Sequence, residues 1–184
     1  MGIEIEKNVG DICDLCVITP GIYKSNHGSF MEVFNERDLK TKGLDMKFVQ
    51  DNQVLSVFGV LRGLHVNMNN PQGKIIRVIN GLIYDVVVDL RKSSKTYMKY
   101  FSNELSGENR KQLYIPTEFA HGYLVLSEKA NVLIKMTTHW IPNDEIGIAW
   151  NSKELGIKWP IDDRMKIILN EKDTNNKSFL DVMG

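Results

Sequence analysis

The sequence predicts an all-β protein built as a jelly-roll sandwich or barrel, and three observations lead there. Between about residue 45 and residue 150, short β-branched and aromatic runs alternate with turn signals, and few stretches show a helical period. The runs recur at the short intervals expected of sandwiches and barrels. "KIIRVINGLIYDVVVDL" (74–90) sets two apolar runs on either side of Asn80-Gly81, the dipeptide that best suits a two-residue I′ hairpin turn.

Taken in order, "DICDLCVI" (11–18) alternates like a strand, and "MEVFNERDLKTKG" (31–43) reads as a short helix or turn with a polar start. "GVLRGLH" (59–65) is an apolar core strand interrupted by cations. The two runs around Asn80-Gly81 follow, then strands at "KYFSNEL" (99–105), "KQLYIP" (111–116), "GYLVLS" (122–127) and "NVLIKMTTHW" (131–140). The tail from "PIDDRMKII" (160–168) onward reads as short helices or turns on the outside. No repeat, low-complexity tract or linker divides the chain, so residues 1–184 are expected to form a single domain.

The chain has 184 residues, 42% hydrophobic and 25% charged, a composition that supports a packed core. Lys plus Arg and Asp plus Glu number 23 each, so no overall field draws it to nucleic acid or an anionic membrane. Any anion must be met by a local pocket. The N-terminal stretch lacks a basic region followed by a continuous apolar one, and no run approaches 18 apolar residues; a cytoplasmic protein is expected. Cys13 and Cys16 form a C-x-x-C pair without a second Cys/His pair at ligand spacing, which favours ordinary core cysteines over a redox or zinc site.

None of the four histidines, His27, His65, His121 and His139, stands in an H-x-H or H-E-x-x-H spacing, so no metal is expected. Neither a Gly-rich phosphate loop nor a G-x-S-x-G elbow is present, which disfavours nucleotide triphosphate cleavage and serine hydrolysis. "FGVLRGLHVNMNNPQGK" (58–74) nevertheless gathers Arg62, His65 and Lys74 around a core strand. Residue types alone leave two readings open there: a functional cluster, or cations satisfied by carboxylates at a sheet surface. "PTEFAHGY" leaves His121 equally open, as a hydrogen-bonded turn residue or a pocket residue.

"FVQDN" (48–52), "GVLRGLH" (59–65), "QGKIIRVINGLIYDVVVDLRKSSKTY" (72–97), "LSGENRKQLYIPTEFAHGYLVLS" (105–127) and "GIAWN" (147–151), in that order, resemble the dTDP-4-dehydrorhamnose 3,5-epimerase family. The resemblance implies a cupin-type jelly roll, usually a homodimer, acting on nucleotide-linked 4-keto-6-deoxy sugars with no cofactor and no metal. It implies that His65 is the base that removes the proton beside the ketone, that Asp173 orients it, and that Lys74 meets the enolate oxygen. It places Arg62 on the sugar or diphosphate, Gln50, Asn52 and Glu32 on substrate, and His121 in the pocket wall.

Two departures from the family pattern bear on the chemistry. The family's acid is expected at a tyrosine two residues before a proline, and in "TTHWIP" that position belongs to Trp140, whose indole N–H does not exchange a proton as a phenol does. His139 beside it should point away if the segment is a strand. An inversion confined to C3, with water or Tyr123 as acid, is therefore expected before one at C3 and C5 or binding alone, because each inverted centre needs its own reprotonation. "SNHGSFMEVF" carries His27 where the family has an arginine, which removes one phosphate or base contact and leaves thymidine and guanosine, hexose and heptose, open. A 3,4-ketoisomerase and a sugar-nucleotide binding protein are the alternatives. The expected setting is bacterial surface-polysaccharide biosynthesis.

Overall fold

Two antiparallel sheets face each other across an apolar interior in the computed structural model, which describes residues 2–184. In chain order the strands are β1 (Ile3–Lys7), β2 (Cys16–Pro20), β3 (Ile22–Ser25), β4 (Gly28–Met31), β5 (Gln50–Val57), β6 (Leu61–Asn67) and β7 (Lys74–Asn80). They continue as β8 (Leu82–Asp89), β9 (Tyr100–Ser106), β10 (Gln112–Ile115), β11 (Phe119–Val125), β12 (Lys129–Met136) and β13 (Glu145–Gly147). Short helices lie at α1 (Glu36–Thr41), α2 (Glu171–Thr174) and α3 (Phe179–Met183).

One sheet runs β1-β2-β10-β7-β12-β5 and the other β13-β6-β11-β8-β9, while β3 and β4 form a separate hairpin. The arrangement is the jelly-roll sandwich that the sequence predicts, with two facing sheets rather than a closed barrel. Alternation builds its core: Ile76 and Val78 from β7, Ile83 and Val87 from β8, Leu105, Leu113, Val125 and Val132 all turn inward and are buried. Each such side chain contributes about 1.5–3 kcal/mol over its exposed state. A second layer packs the tail onto the outer face of the smaller sheet, where Leu64, Val66, Val86 and Val88 meet Leu155 and Phe179.

Three local expectations need correction. Strands do flank Asn80-Gly81, but β7 pairs with β10 and β12 while β8 pairs with β9 and β11, so the dipeptide is a corner between sheets and no hairpin. Gly81 makes that corner with φ +91°, and a Cβ there would run into the Lys129 carbonyl. The strand expected over 131–140 stops at Met136, because Thr137 turns its hydroxyl to the Gly73 N–H at 2.8 Å and leaves the ladder. Within 11–18 only Cys16 onward is strand; Cys16 is buried, whereas Cys13 is exposed. The tail from residue 160 onward behaves as expected: it turns at 163–164 and forms the short helices α2 and α3, each capped by a side chain, Asn170 and Ser178. No helix among the described residues is long and apolar enough to cross a membrane.

Candidate active site

Arg62 and His65 are three residues apart, and on a regular strand they would face opposite sides of the sheet. The register between β6 and β11 slips between His121 and Tyr123: His65 lies opposite His121 but Arg62 lies opposite Tyr123. One extra residue on β6 is thereby absorbed as a bulge, and both cationic side chains turn to the same cavity. Gly63 makes the bulge possible. Its φ is +107°, and a Cβ would stand 2.6 Å from the His121 carbonyl oxygen.

The bulge also receives Asp173. The tail runs beside β6 through a bridge from Val60 to Ile168, which sets α2 against the strand. Asp173 Oδ1 lies 2.5 Å from His65 Nε2, Oδ2 accepts the Gly63 N–H at 3.3 Å, and its side chain is wholly buried. Burial pushes this carboxyl up, yet the bond and charge of His65, with the Gly63 and Asn176 donors, hold it below the usual carboxylate range. His65 Nδ1 is left facing the cavity, 3.7 Å from Glu145 Oε1.

Lys74 opens β7 on the facing sheet, opposite Met136 and Ile115 in register, and it is buried. Burial pushes its ammonium down from the usual lysine value, and the Glu145 carboxylate works against that. Glu145 itself is pushed up by burial but drawn lower overall by His65, Lys172 and Lys74; Lys172 Nζ donates to it at 2.7 Å.

These groups line one cavity of about 270 Å³, whose wall includes Asn52, Arg62, His65, Lys74, His121, Tyr123 and Trp140. His121 Nε2 lies 2.8 Å from Oδ2 of the buried Asp85. Arg62 Nε donates to Ser56 Oγ at 3.1 Å. Trp140 stands half exposed at the mouth, its backbone N–H held by Gln50 Oε1 at 2.9 Å, and Gln50 Nε2 donates in turn to Asn52. Gln50 thus touches the site only through its neighbours. Glu32 and His27 do not reach the cavity: Glu32 accepts from Asn35 Nδ2 at 3.2 Å, and His27 lies at the exposed turn of the β3–β4 hairpin. His139 is exposed and lies past the end of β12, so strand alternation does not govern it.

Sequence reading did not single out Glu145, Lys172, Ser56, Ile134 or Asp85. Glu145 sits on a three-residue strand with no pattern of its own. Asp85, a carboxylate flanked by apolar residues in "LIYDVVV", carried a legible signal, since a buried charge demands a partner.

An interior pocket with a histidine–carboxylate pair on one wall and a buried ammonium on the other defines a jelly-roll isomerase, an enzyme that moves protons at carbon. Residues 10–181 match the family model described as dTDP-4-dehydrorhamnose 3,5-epimerase. The chain belongs to that family. It is 47% identical over 161 residues to the dTDP-4-dehydrorhamnose 3,5-epimerase of Methanothermobacter thermautotrophicus, covering 88% of this chain and 87% of that one. The crystal structure of the enzyme from Elizabethkingia anophelis superposes with TM-score 0.91 at 36% identity over the full length of both chains. The Legionella pneumophila epimerase, in complex with dTDP-4-keto-L-rhamnose, gives 0.90 at 37% identity, covering 99% of this chain and 95% of that one.

Proposed function

We propose that this chain epimerises a dTDP-linked 4-keto-6-deoxyhexose by removing the proton beside the ketone and returning one to the opposite face. His65, oriented by Asp173, is the base, Lys74 meets the enolate oxygen, and C3 is the centre inverted first. The observation that carries this reading is that His65 and Lys74, from facing sheets, share one cavity.

The energetics require both groups. With a ketone α-proton of pKa ~20 and a histidine near 6.5, the free enolate lies about 18 kcal/mol uphill. A turnover of ~10 per second allows a barrier of only about 16 kcal/mol, so the oxyanion must be stabilised before the transition state is reached. A buried ammonium does this without reorganising, because its charge is already fixed where the negative oxygen forms. Arg62 and Lys172 offer the remaining positive charge for the diphosphate, and the half-exposed indole of Trp140 offers the base a flat face.

The same reading places the enzyme in the cytoplasm, feeding surface-polysaccharide assembly, as a homodimer. Tyr23 is 61% exposed and Phe30 58% on the β3–β4 hairpin, and Leu55 is 65% exposed on the edge strand β5; an apolar surface of this kind calls for cover. Glu32, remote from its own cavity, then serves the second copy's substrate. Size-exclusion chromatography with light scattering tests the dimer, and a monomer at micromolar concentration refutes it. The reaction is tested by following dTDP-4-keto-6-deoxyglucose in heavy water by NMR. Deuterium should enter at C3 with inversion, and the same spectra report C5. Exchange that survives unchanged in His65→Asn would overturn the assignment of the base.

A further inference from the structure

The reaction cavity is polar on the side of His65 and largely aliphatic on the other. Arg62, His65 and His121 line it from the smaller sheet, whereas Val54 of β5 and Ile134 and Met136 of β12 line it from the larger one. Register sets Met136 opposite Lys74 and, one step further into the sandwich, Ile134 opposite Ile76 and Asn52; Val54 follows two residues after Asn52, opposite Val132. Ile76 and Val132 belong to the interior core, so alternation turns Val54 and Ile134 the same way. With adjacent strands roughly 4.8 Å apart, the three aliphatic side chains make one patch that begins beside the Lys74 ammonium.

The polar side chains around this patch are already bonded. Asn52 Oδ1 accepts from Gln50 Nε2 at 3.0 Å, and Asn52 Nδ2 donates to Met136 Sδ at 3.4 Å. Ser56 Oγ, two residues beyond Val54, accepts from Arg62 Nε at 3.1 Å. A hydroxyl pressed onto the patch would give up its water and go unpaired, while a methyl group there would only leave water.

In a 4-keto-6-deoxyhexose the ketone carbon stands between C3, which yields the proton, and C5, which carries the C6 methyl group. With His65 at C3 and Lys74 at the ketone oxygen, C5 lies beyond that oxygen from His65, and its methyl group falls beside Lys74. Two strands flank Lys74. On β10 its opposite residue is Ile115, which is buried and does not line the cavity; on β12 it is Met136, which does.

We propose that Val54, Ile134 and Met136 are the seat of the C6 methyl group, and that they select 6-deoxy sugars over the same sugars bearing a C6 hydroxyl. The seat takes its position from Lys74 at the ketone oxygen and so rests on the epimerase reading. An apolar pocket rejects a ligand that adds one hydroxyl by about 10²-fold at most, which sets the scale of the selection.

The test measures calorimetric affinity for two unreactive ligands that differ by that hydroxyl, dTDP-6-deoxyglucose and dTDP-glucose, with thermal melts to verify folding. Wild type should bind the 6-deoxy ligand at least about tenfold more tightly. Ile134→Thr and Val54→Thr each keep a branched side chain and bring a hydroxyl into the patch. Val54 is half-buried on the edge strand β5, where such a change keeps the fold. In both variants dTDP-glucose should gain on the 6-deoxy ligand, narrowing the ratio to about threefold or less. Equal affinities in wild type, or the wild-type ratio kept in both folded variants, overturns the seat. The epimerase reading is judged separately, by exchange at C3 of dTDP-4-keto-6-deoxyglucose in heavy water. Wild type that exchanges but binds both ligands equally sinks the seat alone, and wild type that discriminates without exchange sinks the epimerase reading.

Discussion

Replacing Asp173 by asparagine preserves the size of the side chain and removes one charge from a pair that is closed to solvent on the carboxylate side. Asp173 is wholly buried, and the imidazole of His65 is 19% exposed. With roughly 4 Å between charge centres and an effective dielectric constant of about 20, the attraction between the carboxylate and an imidazolium is about 4 kcal/mol. Solvent reaching the exposed part of the ring reduces that to about 3 kcal/mol, or ~10²-fold in rate. The positive charge on His65 develops as it takes the proton, so the loss should fall on kcat, with KM within about threefold of wild type. The assay is initial-rate NMR on dTDP-4-keto-6-deoxyglucose, with a thermal melt to verify that the sandwich is folded. A folded Asp173→Asn protein with kcat near the wild-type value would mean that the carboxylate anchors the tail and does nothing for the base.

Three further outcomes are expected. Glu145→Gln removes the carboxylate that keeps Lys74 charged against burial, so the lysine loses its proton at lower pH and the alkaline limb of kcat/KM should move down; an unmoved limb in a pH–rate profile contradicts this. Gly63→Ala forces a Cβ against the His121 carbonyl at a φ of +107° and should cost about 1–3 kcal/mol or more in urea unfolding, with activity lost alongside as His65 shifts. Asp89, whose buried carboxylate is held by Arg91, Ser94 and Thr96, is lowered to about 2. Burial opposes that shift, and the bonds from those three residues outweigh it. Its folded value lies below the unfolded one near 3.9, so the stability it gives is full above pH ~4 and lost as pH falls toward 2, an amount of roughly 2.5 kcal/mol. Asp89→Asn should flatten the acid side of the stability curve, and an unchanged dependence between pH 4 and 2 would refute the linkage.

The β architecture was legible because short β-branched and aromatic runs set off by turn residues are local signals, and they coincide with β8, β9, β11 and β12. What failed was pairing. Asn80-Gly81 fits a tight hairpin in isolation, but its flanking runs are each claimed by other strands, and only the whole sheet order reveals a corner. The site was legible in part for a related reason. His65, Arg62 and Lys74 fall within thirteen residues, so one window shows them together. Asp173 lies 108 residues from His65 and carried no local mark; only likeness to a family pointed to it. Glu145 and Lys172 reach the cavity from a three-residue strand and a one-turn helix with no pattern of their own, and the bulge at Gly63, which turns Arg62 and His65 the same way, contradicts the alternation by which a strand is recognised.

Half of the His65–Asp173 pair rides on a one-turn helix fastened late in the chain by a few bridges and caps. On the proposed role of Asp173, a protein nicked, frayed or loosened beyond residue 168 would keep both sheets and the greater part of its pocket, yet would lose most of its turnover. Turnover in this enzyme therefore reports whether the last stretch has latched, a readout that spectroscopy of the β framework would miss.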